Sequence, residues 1–347
     1  MNEIKLIKNG DSTYSCDVPI SWEDWSAILS DKKVTTDAAI NTLLSFYFMP
    51  EQRSSCSDLE KIYGRKSGYY LGAINQFCRK VRKLIGTFTI ADHDSNGEIY
   101  WPVAMACGRV EKGLFVWQLR KELTEALRDR VIDWYISRYV AELPTFWKDE
   151  KYKWEAAECF ANKWDIDAEN FGGMFAEATA KVNNLLSSTN SFPRDMILNF
   201  AKVDGEFTRG LFRELYDESR PVEERFKEFM DASAKFFTAN FDSKDRNNFQ
   251  STNAISTYLW LRYPDKYPIY KYRIYRRVSD AANMGVAIAP TGRVEEVMKG
   301  YEMYSRIRTR LEKSDPLKIS SNCRDMPVTK ECSNALASTL PTRIRYL

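Results

Sequence analysis

From residue 145 onward, apolar side chains recur at helical spacing almost without interruption, and this constrains the fold more than any other feature of the chain. Apolar residues at i, i+3, i+4 and i+7 build one face of a helix. "KYKWEAAECFANKW", "AENFGGMFAEATAKVNNLL", "RDMILNFAKV", "GEFTRGLFRELY", "VEERFKEFMDASAKFFTANF" and "STNAISTYLWLRY" each read as a separate helix. Polar or proline breaks divide them at 187–193, 219–221 and 241–250. No fixed period relates them, so the pattern predicts one α-helical domain over 151–315 and not a solenoid. Residues 129–150 read as a connecting helix or linker. Residues 316–347 gain Ser, Thr and Pro, lose the periodicity, and read as a linker or poorly ordered tail.

The first third is organised differently. Residues 1–35 form a polar lead-in with a short helix, "SWEDWSAILS", capped by Ser21 with Glu23 and Asp24 in its first turn. Thr36 opens a second helix, "DAAINTLLSFYFM", which Pro50 ends. "SDLEKIYG" follows, with Ser57 and Glu60 as a capping box and Gly64 as the stop. A longer helix over 67–84 comes next. Then "EIYWPVAM" and "LFVWQLR" flank the Gly-containing "CGRVEKG", which is a hairpin signal. Helices, a short helix, a turn, a longer helix and a hairpin are the order of a winged helix-turn-helix, expected over 36–128. The expected fold class is therefore mainly α: a winged helix-turn-helix with a small β-hairpin wing, followed by an all-α helical domain.

The longer helix carries the one conspicuous concentration of charge. "GRKSGYYLGAINQFCRKVRK", 64–83, holds six basic side chains, no acidic one and three glycines. At about 100° per residue, Tyr70, Ile74, Phe77, Val81 and Leu84 form a core stripe. Gly68, Gly72, Asn75, Gln76, Arg79 and Lys83 point the other way, and Arg65 and Lys66 sit in the preceding turn. An interior glycine costs a helix about 1 kcal/mol relative to alanine. Glycine on an exposed face gives a backbone close access to a groove wall, where Asn and Gln bond adenine edges and Arg bonds guanine or phosphate. Arg109 and Lys112 at the hairpin tip would contact phosphate, and Tyr100, Trp101 and Trp117 read as strand aromatics of the core. The bland alternatives are a solvated basic face and a protein-partner face.

A second aromatic and basic stretch is "YLWLRYPDKYPIYKYRIYRR", 258–277. Pro264, Tyr267, Pro268 and Tyr270 read as a proline-set corner between core helices. Lys271, Arg273, Arg276 and Arg277 follow on the next helix as a possible second nucleic-acid or partner surface, a solvated group being the equal alternative.

Several chemistries are disfavoured. A net charge of +3 is too small for the total to argue nucleic-acid binding, so only the local cluster does. The seven cysteines form no C-x-x-C pair, which suits a reducing cytoplasm better than disulfides or zinc. The single histidine, His93, removes multi-histidine metal sites and leaves little room for a Ser-His-Asp arrangement. No G-x-x-x-x-G-K-[ST] loop occurs, and Pro264-Asp265 lacks a spaced E-x-K partner. No run is long enough to cross a membrane. No catalytic residue, metal or cofactor is expected.

"SDLEKIYGRKSGYYLGAINQFCRKVRKLIG", "YWPVAMACGR" and "FVWQLRKELTEAL", with "ISTYLWLRYPDKYPIYKY" further on, resemble the N-terminal region of McrB-like, modification-dependent restriction proteins. That resemblance implies a cytoplasmic specificity region that binds double-stranded DNA, with or without modified bases. Its partners would be a McrC-like nuclease subunit and an AAA+ GTPase motor, whose Walker motif this sequence does not contain. Arg65, Lys66, Asn75, Gln76, Arg79, Lys83, Arg109 and Lys112 are the candidate DNA contacts. Two rivals stand beside this reading. One is a protein-interaction scaffold that recruits a motor or nuclease. The other is a nuclease with a site among acids and bases such as Asp265, Lys271 and Glu224.

Overall fold

The computed structural model describes residues 2–9, 13–90, 93–94, 97–188, 190–241 and 247–313. The stretch 316–347 lies outside them. The chain divides into two compact units, Met1–Val131 and Ile132–Leu347. Most of the described residues are helical, and a small antiparallel sheet belongs to the first unit.

The first unit runs β1 (Asn2–Ile4), β2 (Ile7–Lys8), β3 (Thr13–Ser15), α1 (Trp22–Ser30), α2 (Asp37–Tyr47), β4 (Arg53–Ser55), α3 (Cys56–Tyr63), α4 (Tyr69–Ile85) and β5 (Phe88–Ile90). It continues through β6 (His93–Asp94), β7 (Gly97–Glu98), β8 (Met105–Glu111), β9 (Leu114–Leu119) and the start of α5 (Lys121–Lys163). Five strands form one antiparallel sheet in the order β2-β3-β8-β9-β4. Strand β1 pairs in parallel with β5, and β6 pairs with β7.

Local chemistry explains most boundaries. Ser21 and Asp24 make a reciprocal capping box at α1, and Thr36 accepts from the Ala39 amide at α2. At α3 the cap is Ser55, which accepts from the Asp58 amide at 3.0 Å. The cap expected at Ser57 with Glu60 therefore sits two residues earlier, because β4 holds the chain extended up to Ser55 and releases it there. Trp25 of α1 stacks on Phe77 of α4 in the core, with Phe46, Leu59 and Ile74 also buried. Arg120, buried between β9 and α5, donates to the carbonyls of Cys16, Pro102 and Val103. It thereby fastens the lead-in to the hairpin.

The second unit contains the rest of α5, then α6 (Phe171–Ala178), α7 (Asn183–Leu186), α8 (Pro193–Val203), α9 (Gly205–Tyr216), α10 (Val222–Asn240), α11 (Thr252–Arg262), α12 (Tyr272–Ala281) and α13 (Val294–Lys313). The backbone over 129–150, expected as a connector, is continuous helix with 151–163. Helix α11 is buried on nearly every side, as a helix without a polar face must be. Its Tyr258 joins an aromatic cluster with Phe175, Phe212 and Phe229. Among the described residues, no helix is long and apolar enough to cross a membrane.

Candidate nucleic-acid interface

Helix α4 begins at Tyr69, two residues later than its sequence pattern predicts. Gly64 closes α3 with φ 62, and Gly68 precedes α4 with φ 80. Both are backbone conformations that side chains with a Cβ rarely adopt. Two of the three glycines therefore serve the turn between the helices, and Gly68 is not interior as expected. Only Gly72 lies inside α4. Arg65 and Lys66 stand exposed in the turn that the two glycines make.

Tyr70, Ile74, Phe77 and Val81 are buried as the stripe predicts, together with Cys78. Leu84, expected in that stripe, is 54% exposed in the last turn before Gly86. On the opposite side Gly72, Gln76, Arg79 and Lys83 are exposed at spacings of four, three and four, and Asn75 is half-buried. Their common face carries no carboxylate.

The six cations of this segment do different things. Lys80 turns back to donate to the Lys33 carbonyl at 2.9 Å. The guanidiniums of Arg79 and Arg82 both lie 5.0 Å from the centre of the Tyr100 ring. For Arg79, which is exposed, a seat over the tyrosine face uses none of the guanidinium's N–H donors. Arg65 rests similarly, 5.1 Å from the Tyr69 ring. Sequence spacing gave no sign of the role of Tyr100, which is a contact across 21 positions.

The hairpin departs from expectation in detail. Its two-residue turn is Lys112 and Gly113, with φ 48 and 79, the pair of positive values that a tight hairpin turn uses. Lys112 is exposed at the tip. Arg109 is not at the tip but within β8 opposite Val116, and its guanidinium lies 3.8 Å from Glu111. Glu111 also pairs with Arg53, so Arg109 contributes a partly neutralised charge. Tyr100 and Trp101 are not strand residues, since they begin a 3-10 turn over Trp101–Val103. Trp117 alone of the three is in a strand, buried and stacked on Trp101 at 6.2 Å.

The second basic group is dispersed. Arg273, Arg276 and Arg277 are exposed on α12, with Arg276 tied to Tyr272 and Asp280. Lys271 caps the start of α12 half-buried, and burial, with Lys153 nearby, holds its ammonium below the usual lysine range. Tyr267 and Tyr270 are core, as the corner reading has it. Glu224 lies 4.0 Å from Arg220 on α10, and Asp265 is exposed in the corner. Burial pushes the Cys56 and Cys78 thiols up to about 12, which removes them as nucleophiles near neutral pH. Among the described residues, no group of three His, Cys, Asp or Glu side chains is placed to hold a metal ion.

Comparison with protein-family models, with curated proteins and with solved structures finds no match to this chain.

Proposed function

We propose that the first unit binds double-stranded DNA as a winged helix-turn-helix, with α4 as the recognition helix and the β8–β9 hairpin as the wing. The observation that carries this is the carboxylate-free face of Gly72, Gln76, Arg79 and Lys83, with Arg79 held on Tyr100. Two further features support it. Helix, strand, helix, helix and hairpin follow in the order such a domain requires, and β4 pairs with β9 at the sheet edge beside them. The turn cations Arg65 and Lys66 and the tip cation Lys112 are exposed where phosphate contacts would position the duplex. In this reading the protein is the cytoplasmic specificity region of a McrB-like restriction system, working with a McrC-like nuclease subunit or an AAA+ motor.

The test is duplex binding across a salt series, on matched duplexes with and without modified cytosine. Each neutralised phosphate contributes about −0.9 to the log–log slope. The double variant Arg79→Ala, Lys83→Ala is expected to weaken binding and flatten the slope by about 2. Unchanged affinity and slope would remove α4 from the interface. A second reading, a protein-docking surface, is favoured by one observation. Ile62, Tyr63 and Leu71 are large apolar side chains exposed on α3 and α4. It predicts no mobility shift even at low salt, and a stable complex that Leu71→Glu abolishes.

A further inference from the structure

Arg79 stands exposed on α4, and among the described residues it makes no hydrogen bond and no ion pair. What holds it is the ring of Tyr100, 5.0 Å from the centre of its guanidinium. Arg82, three positions further along α4 and half-buried, reaches the same ring at the same distance. Lys83, the next cation on the face of Arg79, meets no ring among the described residues.

The ring itself is fastened to the core. Tyr100 is half-buried, and its carbonyl accepts from the Val103 amide at 3.0 Å to open the turn Trp101–Val103, in which Pro102 and Val103 are buried. The buried Arg120 donates to the carbonyls of Pro102 and Val103, and Trp101 stacks on Trp117 at 6.2 Å. A tyrosine has two side-chain torsions to fix, so on such a backbone its ring is a firm seat. An arginine has more rotamer freedom to lose than almost any other side chain, and the seat removes part of it in advance.

We propose that Tyr100 is a positioning residue for duplex binding: it holds Arg79 in the pose from which the guanidinium takes a phosphate or a guanine edge, so the duplex does not have to order that side chain. This role rests on the reading of α4 as the recognition helix. It adds to that reading a residue outside the helix that acts through Arg79 and touches no DNA itself.

Duplex titrations across a salt series test it on the full chain, with wild type, Tyr100→Phe, Tyr100→Leu, Arg79→Ala and the double variant Arg79→Ala, Tyr100→Leu, each melted to establish that it folds. Tyr100→Leu leaves every cation of α4 in place. It is expected to weaken binding about three- to tenfold, the ordering cost of one long side chain, at an unchanged salt slope. Tyr100→Phe keeps the ring and should restore most of the affinity. In the Arg79→Ala background, Tyr100→Leu should cost nothing more, whereas a loss caused by a disturbed loop would persist there. Wild-type affinity in Tyr100→Leu, an equal loss in Tyr100→Phe, or a loss that persists without Arg79 would overturn the role of Tyr100 and leave α4 in the interface. Unchanged affinity in Arg79→Ala would instead take Arg79 out of the interface, and the role of Tyr100 with it. Side-chain NMR of the free wild-type chain needs no variant at position 100. The Arg79 Nε–Hε resonance, assigned by its absence from Arg79→Ala, should be displaced by the ring and as ordered as the backbone. An undisplaced, mobile resonance would overturn the role even if Tyr100→Leu failed to fold.

Discussion

Gly72→Ala separates two explanations of the basic helix, because they predict opposite outcomes for stability and affinity. Gly72 is exposed inside α4, has no positive φ to justify it, and no heavy atom lies within 4 Å of where a Cβ would stand. In an exposed helix interior, alanine is worth about 1 kcal/mol over glycine. Nothing in the fold opposes that gain. For a unit of this size the thermal midpoint should therefore rise by about 3 °C. If α4 lies in a groove with its Gly72 turn against the wall, the added methyl overlaps the DNA. Overpacking of that kind costs about 1–3 kcal/mol, a roughly thirtyfold loss of affinity at the middle of the range. The assay is a thermal melt together with a duplex titration at fixed salt, on Gly72→Ala and Gly72→Leu. Rising stability with falling affinity, steeper for leucine, is the expected result. Rising stability with affinity unchanged in both variants would refute close approach at this turn. A fall in stability would refute the open surroundings from which the argument starts.

Two further outcomes test the fold itself. In Gly108→Ala the new Cβ would stand 2.4 Å from the Phe115 ring, which must retreat about 1 Å to reach ordinary contact. Tyr14, Trp101 and Trp117 fence that ring at 5.5 to 6.2 Å, so denaturant melts should show a loss of about 2 kcal/mol, recovered largely by Phe115→Leu in the same chain; a neutral Gly108→Ala would contradict the packing. Partial burial pushes the Glu218 carboxyl upward, but hydrogen bonds from Lys266 and Tyr267 and the charge of Arg225 outweigh it and leave it below its ordinary 4.5. A depressed carboxyl stabilises fully above its unfolded value and loses that contribution as pH falls through the folded one. Glu218→Gln should therefore make the acid limb of melting temperature against pH shallower, and an equally steep limb would show that the network adds nothing.

The parts of the fold that were legible in the sequence are those decided within a few residues. The Ser21 and Thr36 caps depend on one side chain reaching an amide three positions on, and the Lys112-Gly113 turn depends on two adjacent φ values. Contacts made at long range left no such trace. Strands β2 and β3 are two and three residues long, too short for alternation to register, and pairing with β8 is what makes β3 a strand. Ser55 and Ser57 each precede an acid by three positions, and only the end of β4 decides which one caps α3. Within α11 the buried Ser256 and Thr257 read as polar, yet both donate to the Asn253 carbonyl, and Ser256 also accepts from the Tyr270 amide.

The candidate interface was legible as charge but not as geometry, and the difference changes what the charge can do. A string of six cations and three glycines does not say which glycines are turns, and the structure assigns two of them to the turn by their positive φ. It does not say which cations face outward either. Lys80 is spent on the Lys33 carbonyl, whereas Arg79 is steadied on Tyr100 with its donors outward. A stacked guanidinium has already given up much of its rotamer freedom, so less is lost when it takes a phosphate or a guanine edge. That preorganisation distinguishes Arg79 from a cation that merely solvates a helix face. The residue that creates it belongs to the loop leading into β8, so the outward-facing chemistry of α4 is set partly by a segment that the helical pattern never reaches.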